Sequence, residues 1–242
     1  MKVSAQLDEL YRGYYTDAVA EKRAIAARQT TTHILRMLPR RPYASALDVG
    51  AGEGAVLAEL EACGFAADLH ALEISASGIE AIRARRLRTL KTLRQFDGYR
   101  IDPPDGRASV AIAIHVLEHV EHERAFLRAL LDAADEVYVE VPLEHTAGID
   151  RAIRIGRPYG HINFYTRESF RNLLETSGAE VTDLQVFPNS LAYERFLGGN
   201  AVGSAKYLVR SNLLRMAPRL AQRRMTYLAG AVCRRAASGG AG

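Results

Sequence analysis

Residues 46–60 read Ala-Leu-Asp-Val-Gly-Ala-Gly-Glu-Gly-Ala-Val-Leu-Ala-Glu-Leu. A short apolar run, a turn with three glycines and a helix-forming run follow one another without a break. Ala46–Val49 is expected as a buried strand, and Ala55 to Cys63 as a helix ended by Gly64. Glycine reaches backbone angles closed to other residues and lets a ligand lie against the main chain. A turn of this kind sits at the carboxyl end of a strand, where open α/β sheets bind ligands. Gly50, Gly52 and Ala55 fit the dinucleotide fingerprint G-x-G-x-x-G/A. Two features argue against a dinucleotide. Glu53 lies at the helix entrance, where its charge would repel a pyrophosphate. A chain of 242 residues also leaves little room for a second, substrate-binding domain.

Strands and helices alternate on either side of the turn. Strands are expected at Ala67–Glu73, near Leu90–Phe96, at Ser109–Ile114, at Glu136–Val141 ended by Pro142, at Val181–Phe187 and at Thr226–Cys233. Helices are expected over 5–38, 76–88 with Ser75 as cap, 121–133, and from the Thr166 cap to Ser177. Residues 143–160 carry three glycines and Pro158 and read as an irregular loop. Residues 190–224 read as helical, with breaks at Gly198-Gly199 and Pro218. The alternation predicts one doubly wound, mostly parallel α/β sheet. The whole chain, 1–242, is expected to be a single domain. Its N-terminal segment, 1–40, is helical, and 190–224 forms a helical insertion before the last of seven strands.

Composition supports a folded globular chain, 48% of it apolar. Cys63 and Cys233 form no ligand pattern and suit a reducing compartment, so a cytoplasmic location is expected. Asp8 and Glu9 interrupt the N-terminus before a leader-like apolar run develops. No stretch is long and apolar enough to span a membrane. After Asn200 there is no Asp or Glu, but there are Lys206, Arg210, Arg215, Arg219, Arg223, Arg224, Arg234 and Arg235. The net charge of +4 therefore sits on this tail, and the first 200 residues are net acidic. A solvated helix face is the plain explanation. An acidic substrate, RNA or peripheral membrane contact is the alternative.

With these pieces in order, the sequence resembles the class I S-adenosylmethionine (SAM)-dependent methyltransferase family. LDVGAGEG looks like the family's first motif. Glu73 stands at the end of the next strand, FDG at 96–98 resembles the third-strand segment, and ASVAIAIHVLEHV at 108–120 resembles the fourth strand and its turn. The likeness runs from about Ala46 to Phe187. It implies SAM as cofactor and S-adenosylhomocysteine as product. By this resemblance Asp48, Gly50, Ala51 and Gly52 meet the methionine end, and Glu73 holds the ribose. Ile74 and Phe96 flank the adenine, Asp97 lies near its amino group, and His115 lies beside the cofactor. SAM is cationic at sulfur and at its ammonium, so acidic residues around the turn are acceptable.

His115-Val-Leu-Glu118-His119 matches the zinc-protease pattern H-x-x-E-H, but its place after a central parallel strand argues against a protease. Some class I O-methyltransferases, of the ubiquinone pathway and of small RNA, carry E-x-x-E-H here and bind a divalent metal. Glu118 and His119 match that pattern, and His115 replaces the first acid. GHINFYTRESF at 160–170 resembles the later histidine segment of the RNA enzymes. The reading favoured by the missing acid assigns no metal and lets these residues order the wall of the site. His119 or His161 is then the general base for a hydroxyl acceptor. The aromatic residues Tyr159, His161, Phe164 and Tyr165, with Tyr193, Phe196, Tyr207 and Tyr227, are expected along the acceptor walls, each more readily as packing than as recognition. VPLEHT and GHINFYT are similar to bacterial enzymes acting on small molecules or saccharides, so such an acceptor is expected. An RNA methyltransferase using the basic insertion ranks lower, because no aromatic-basic RNA module is visible. A non-catalytic SAM-binding partner protein is the third reading.

Overall fold

A computed structural model describes residues 20–38, 42–103, 106–156 and 160–237. In chain order it contains α1 (Ala20–Met37), β1 (Tyr43–Val49), α2 (Ala55–Ala62), β2 (Ala66–Glu73), α3 (Ala76–Ala84), β3 (Leu90–Gln95) and β4 (Ala108–Ile114). A 3₁₀ turn (Leu117–His119), α4 (Glu123–Ala133), β5 (Ala134–Leu143), α5 (Ile149–Gly156), α6 (Arg167–Thr176) and β6 (Ala179–Phe187) follow. The last elements are α7 (Leu191–Met216), α8 (Pro218–Arg224) and β7 (Tyr227–Arg235). The first part of the helix expected over 5–38, Pro104 of the expected turn, Pro158, Tyr159 and the tail from Ser238 lie outside the described residues.

The seven strands form one sheet in the order β3-β2-β1-β4-β5-β7-β6. Strands β1 to β5 pair in parallel, while β7 runs antiparallel to both β5 and β6. The expected doubly wound, mostly parallel sheet is the one observed. The order reverses between β1 and β4, and the crevice outside their carboxyl ends is where such sheets bind ligands. Register brings the site together: Asp48 pairs with Ile112 and Ile114 with Glu140, so the strand ends carrying Asp48, His115 and Glu140 lie side by side.

Alternation along β4 divides the core. Val110 and Ile112 pack with Ile34, Leu57, Leu60 and Tyr138 on one face, and Ala111 and Ala113 with Phe126, Leu130 and Phe170 on the other. An all-apolar strand is therefore what a sheet covered on both faces requires. Thr166 caps α6 by accepting from the Ser169 N–H, and the Ser169 hydroxyl accepts from the Thr166 N–H. A cap of this kind contributes about 1 kcal/mol.

Three expectations need correction. Pro142 does not end β5, which continues to Leu143 with Pro142 opposite Leu228 of β7. Glu140 turns its carbonyl toward β4, where the His115 N–H donates to it. Residue 142 faces the same way, past the end of β4, so proline's missing N–H costs the sheet nothing. Residues 143–160 are not wholly irregular, because α5 forms within them. The helix after Ser75 stops at Ala84 rather than Arg88, and Arg86 just beyond it is left-handed, with φ 53°. The breaks expected in 190–224 are present. Gly199 is non-helical (φ 74°, ψ 172°) inside α7, and Pro218 opens α8.

Candidate active site

The glycine turn is tied to the neighbouring strand. The N–H groups of Gly50 and Ala51 donate to the Leu72 carbonyl at 2.8 and 3.1 Å. The Gly52 N–H donates to Glu73 Oε2 at 2.7 Å. Glu73 Oε1 accepts from the N–H and hydroxyl of Ser75 at 2.9 and 2.8 Å. Glu73 is thus buried and braces the turn. Burial raises its carboxyl above the ordinary range, against the pull of those hydrogen bonds. Gly50 has φ 80°, and a Cβ there would stand 2.6 Å from Val116 Cγ2. Both the backbone angle and the contact exclude a larger residue.

Asp48 is buried at the end of β1. Burial first, and the charge of Glu73 second, push its carboxyl up to about 8. Among the described residues no ion pair holds it. A buried carboxyl in need of a counter-charge suits a ligand that carries one, such as SAM. Ile74 is half-buried, and its carbonyl accepts from Gln95 Nε2. The half-buried Phe96 is held by its N–H on the Glu73 carbonyl. Asp97 is exposed and uses Oδ1 to accept from the N–H groups of Tyr99 and Arg100, which lowers its pKa.

Glu53 does not act as the sequence suggests. Arg23 Nη2 lies 2.9 Å from its Oε2 and Arg85 Nη2 3.3 Å from its Oε1. Its charge is matched by two guanidinium groups, so repulsion of a pyrophosphate loses its force. The strand order discriminates better: the common dinucleotide-binding fold runs 3-2-1-4-5-6, whereas here the antiparallel β7 lies between β5 and β6.

The second half of the site lies beyond β4 and β5. His115 is left-handed (φ 54°). Its Nδ1 lies 3.1 Å from Glu118 Oε1, and its Nε2 lies 3.6 Å from Glu140 Oε1. Burial opposes its charge, but Glu118 and Glu140 outweigh burial and raise it to about 9. Glu140 is fully buried. It accepts from Thr30 Oγ1 at 3.1 Å and Tyr138 OH at 2.6 Å, and His33 Nδ1 lies 2.9 Å from it. This pins α1 to the end of β5.

Residues 161–165 dock onto the 3₁₀ turn. The N–H groups of Ile162 and Asn163 donate to the Glu118 carbonyl. Asn163 Nδ2 donates to the carbonyls of Leu117 and Val120 at 2.9 and 2.7 Å. Tyr165 OH donates to the Leu117 carbonyl and also meets Glu123. The rings of His119 and His161 come to 4.9 Å, edge to face. His161 Nδ1 lies 2.8 Å from Glu144 Oε2. Burial lowers the pKa of His119. Burial also opposes the charge of His161, but Glu144 overcomes it and raises that pKa.

Both expected base candidates are therefore together, and they share a wall with His115 and Glu118. Glu144, Glu140, His33 and Asn163 were missed by sequence reasoning. Only Glu144 had a local signal, as the acid next to the last residue of β5. Tyr165 and Tyr227 are buried, with Tyr227 OH donating to the Arg210 carbonyl, so packing uses both. Tyr159 lies outside the described residues.

A divalent cation also has a candidate seat. One ligand atom each from Glu118, His119 and His161 lies within 4.8 Å of the others. Glu118 Oε2 is buried without a hydrogen-bond partner among the described residues. One carboxylate and two imidazoles suit zinc or a similar ion. A cleft lined by Tyr43, Ser109, Glu136 and Arg234 lies at the opposite, amino-terminal end of these strands, far from this chemistry.

Residues 20–184 match the model of a family described as a methyltransferase domain. No curated protein sequence matches the chain. Among solved structures, the chain is similar to an S-adenosylmethionine-dependent methyltransferase from Mesorhizobium loti (TM-score 0.60, 19% identity, 84% of this chain and 96% of that one). It is also similar to magnesium protoporphyrin IX methyltransferase from Synechocystis with bound S-adenosylhomocysteine (0.60, 14%, 96% and 95%). A third is phosphoethanolamine N-methyltransferase 2 of Haemonchus contortus, in complex with phosphomonomethylethanolamine and S-adenosylhomocysteine (0.65, 13%, 97% and 61%). At these identities the likeness is one of fold, and the acceptors of those enzymes are theirs alone. The match over 20–184, with the sheet order and the braced glycine turn, shows that the chain belongs to the class I SAM-dependent methyltransferase family.

Proposed function

We propose that the protein transfers the methyl group of SAM to a hydroxyl of a small-molecule or saccharide acceptor, with His161 as general base and His119 beside it. The observation that carries this reading is the His161–Glu144 pair at 2.8 Å. Glu144 fixes the ring through Nδ1 and leaves Nε2 to take a proton. The acceptor oxygen attacks the methyl carbon as the carbon–sulfur bond breaks. The hydroxyl proton passes to His161, and the positive sulfonium leaves as a neutral thioether. Because the donor is already activated, alignment of the acceptor supplies much of the rate. Asp48 and the glycine turn would hold the methionine end, with Glu73 on the ribose.

The test is label transfer from methyl-labelled SAM to a panel of hydroxylated small molecules and saccharides, with SAM affinity measured by calorimetry. His161→Ala is expected to lower kcat by about 10²–10⁴-fold at unchanged SAM affinity, and His119→Ala to lower it less. Full kcat in both variants would falsify base assistance. A wild-type protein that binds SAM and methylates only amines would sink the hydroxyl reading.

A second reading has its own observation: Glu118 Oε2 is buried without a hydrogen-bond partner among the described residues, and Glu118, His119 and His161 each bring one ligand atom within 4.8 Å of the others. These three residues would hold a divalent ion, which supplies a lowered pKa for a coordinated hydroxyl. Calorimetric binding of Zn²⁺ or Mn²⁺ that is lost in Glu118→Gln supports it.

A further inference from the structure

The second half of α7 and all of α8 present a face that the proposed reaction does not use. Beyond the Gly199 kink the helix runs to Met216, about 25 Å at 1.5 Å per residue. Its inner side is anchored. Gly203 is buried against the backbone of Glu194 and Arg195. Leu213 and Leu214 pack on the core. Arg210 donates to the Thr226 carbonyl and lies 3.5 Å from Glu194. The outer side is therefore fixed toward solvent. Val202, Leu208 and Val209 are each more than half exposed, Met216 is 83% exposed, and Leu220 is exposed as well.

Cations interleave with these apolar groups. Lys206, Arg215, Arg219, Arg223 and Arg224 are all exposed. None of the five is ion-paired among the described residues, and no Asp or Glu follows Asn200. The face also adjoins the active-site side of the sheet, because the Ala147 N–H, three residues after Glu144, donates to the Arg223 carbonyl at 2.8 Å. No described helix is long and apolar enough to cross a membrane.

Three occupants can be weighed by chemistry. A second copy packed about a two-fold axis would set this cationic face against itself. RNA would satisfy the cations, but the exposed apolar groups here are aliphatic and offer no stacking platform. An anionic bilayer satisfies both: acyl chains and headgroup boundary for Val202, Leu208, Val209 and Met216, lipid phosphates for the lysine and arginines. We propose that the outer face of α7 and α8 is a peripheral docking surface for anionic membranes, with the active-site mouth close to the lipid.

The test is co-sedimentation of the full chain with vesicles of phosphatidylcholine alone and of phosphatidylcholine with phosphatidylglycerol. Binding to the anionic vesicles is expected to be about tenfold or more tighter, and to weaken with added salt. The double variants Val209→Glu/Met216→Glu and Arg215→Glu/Arg219→Glu change only exposed side chains. Each is expected to lower vesicle binding about tenfold or more while circular dichroism and SAM affinity stay unchanged. Equal, weak binding of wild type to both vesicles overturns the proposal. So does binding that neither variant alters, a dimer in light scattering that Val209→Glu/Met216→Glu breaks, or tighter binding to RNA than to anionic vesicles.

Discussion

Asp48 and Glu140 are buried carboxyls with opposite fates. Asp48 stands at about 8, so without a cation it is largely protonated at pH 7. A positive methionine end placed beside it favours the charged form. SAM binding is therefore expected to release a proton, and affinity to rise with pH and level off above about 8, as the free carboxyl ionises. Calorimetry in buffers of different ionisation enthalpy measures the release, which Asp48→Asn should abolish. Glu140 is held below the ordinary range: burial resists its charge, but His33, His115 and Tyr138 overcome it. Its stabilisation is present above the unfolded value near 4.5 and is lost as pH falls through the lower folded value. Glu140→Ala leaves Thr30, His33 and Tyr138 without their acceptor and is expected to cost about 3 kcal/mol, measured by urea unfolding at pH 7. Glu140→Gln should cost less and flatten the acid limb. The sequence showed Asp48 through its place in a motif. It could not show Glu140, whose partners Thr30 and His33 lie more than a hundred residues away on α1. Glu53 misled for the same reason, because Arg23 and Arg85 are far from it in sequence.

Elements were legible where their pattern was unbroken. The apolar run of β4 admitted one reading, and its observed bounds differ from the expected ones by a single residue. Thr166 signalled α6 through its cap. The glycines and Pro158 concealed α5, since punctuation was read as absence of structure. The docking of 161–165 on the 3₁₀ turn left no periodic trace at all, because isolated long-range backbone and side-chain hydrogen bonds carry it. Asn163 is the centre of that contact. Asn163→Ala frees two carbonyls, those of Leu117 and Val120, and is expected to cost about 1–3 kcal/mol. It should also lower kcat with SAM affinity unchanged, because His161 then drifts from His119. Thermal unfolding and label transfer on the same preparation check both.

At the scale of the whole molecule, the sheet order could not be read from the chain. Alternating strands and helices specify a doubly wound sheet, but they do not say that the seventh strand slips between the fifth and the sixth. That insertion depends on pairings between segments far apart, Val137 with Cys233 and Leu184 with Ala231. It also gives β7 two neighbours, so its buried stretch Tyr227–Cys233 closes both sides of a gap. Ending the chain after Arg224 is expected to abolish cooperative unfolding and SAM binding together, and circular dichroism melts with calorimetry test this. The same feature imposes an order on synthesis. A ribosome makes six strands before the one that joins the last two of them. Until then β5 bears an open edge and β6 has no partner, so the nascent protein carries two sticky borders that only its final strand can seal.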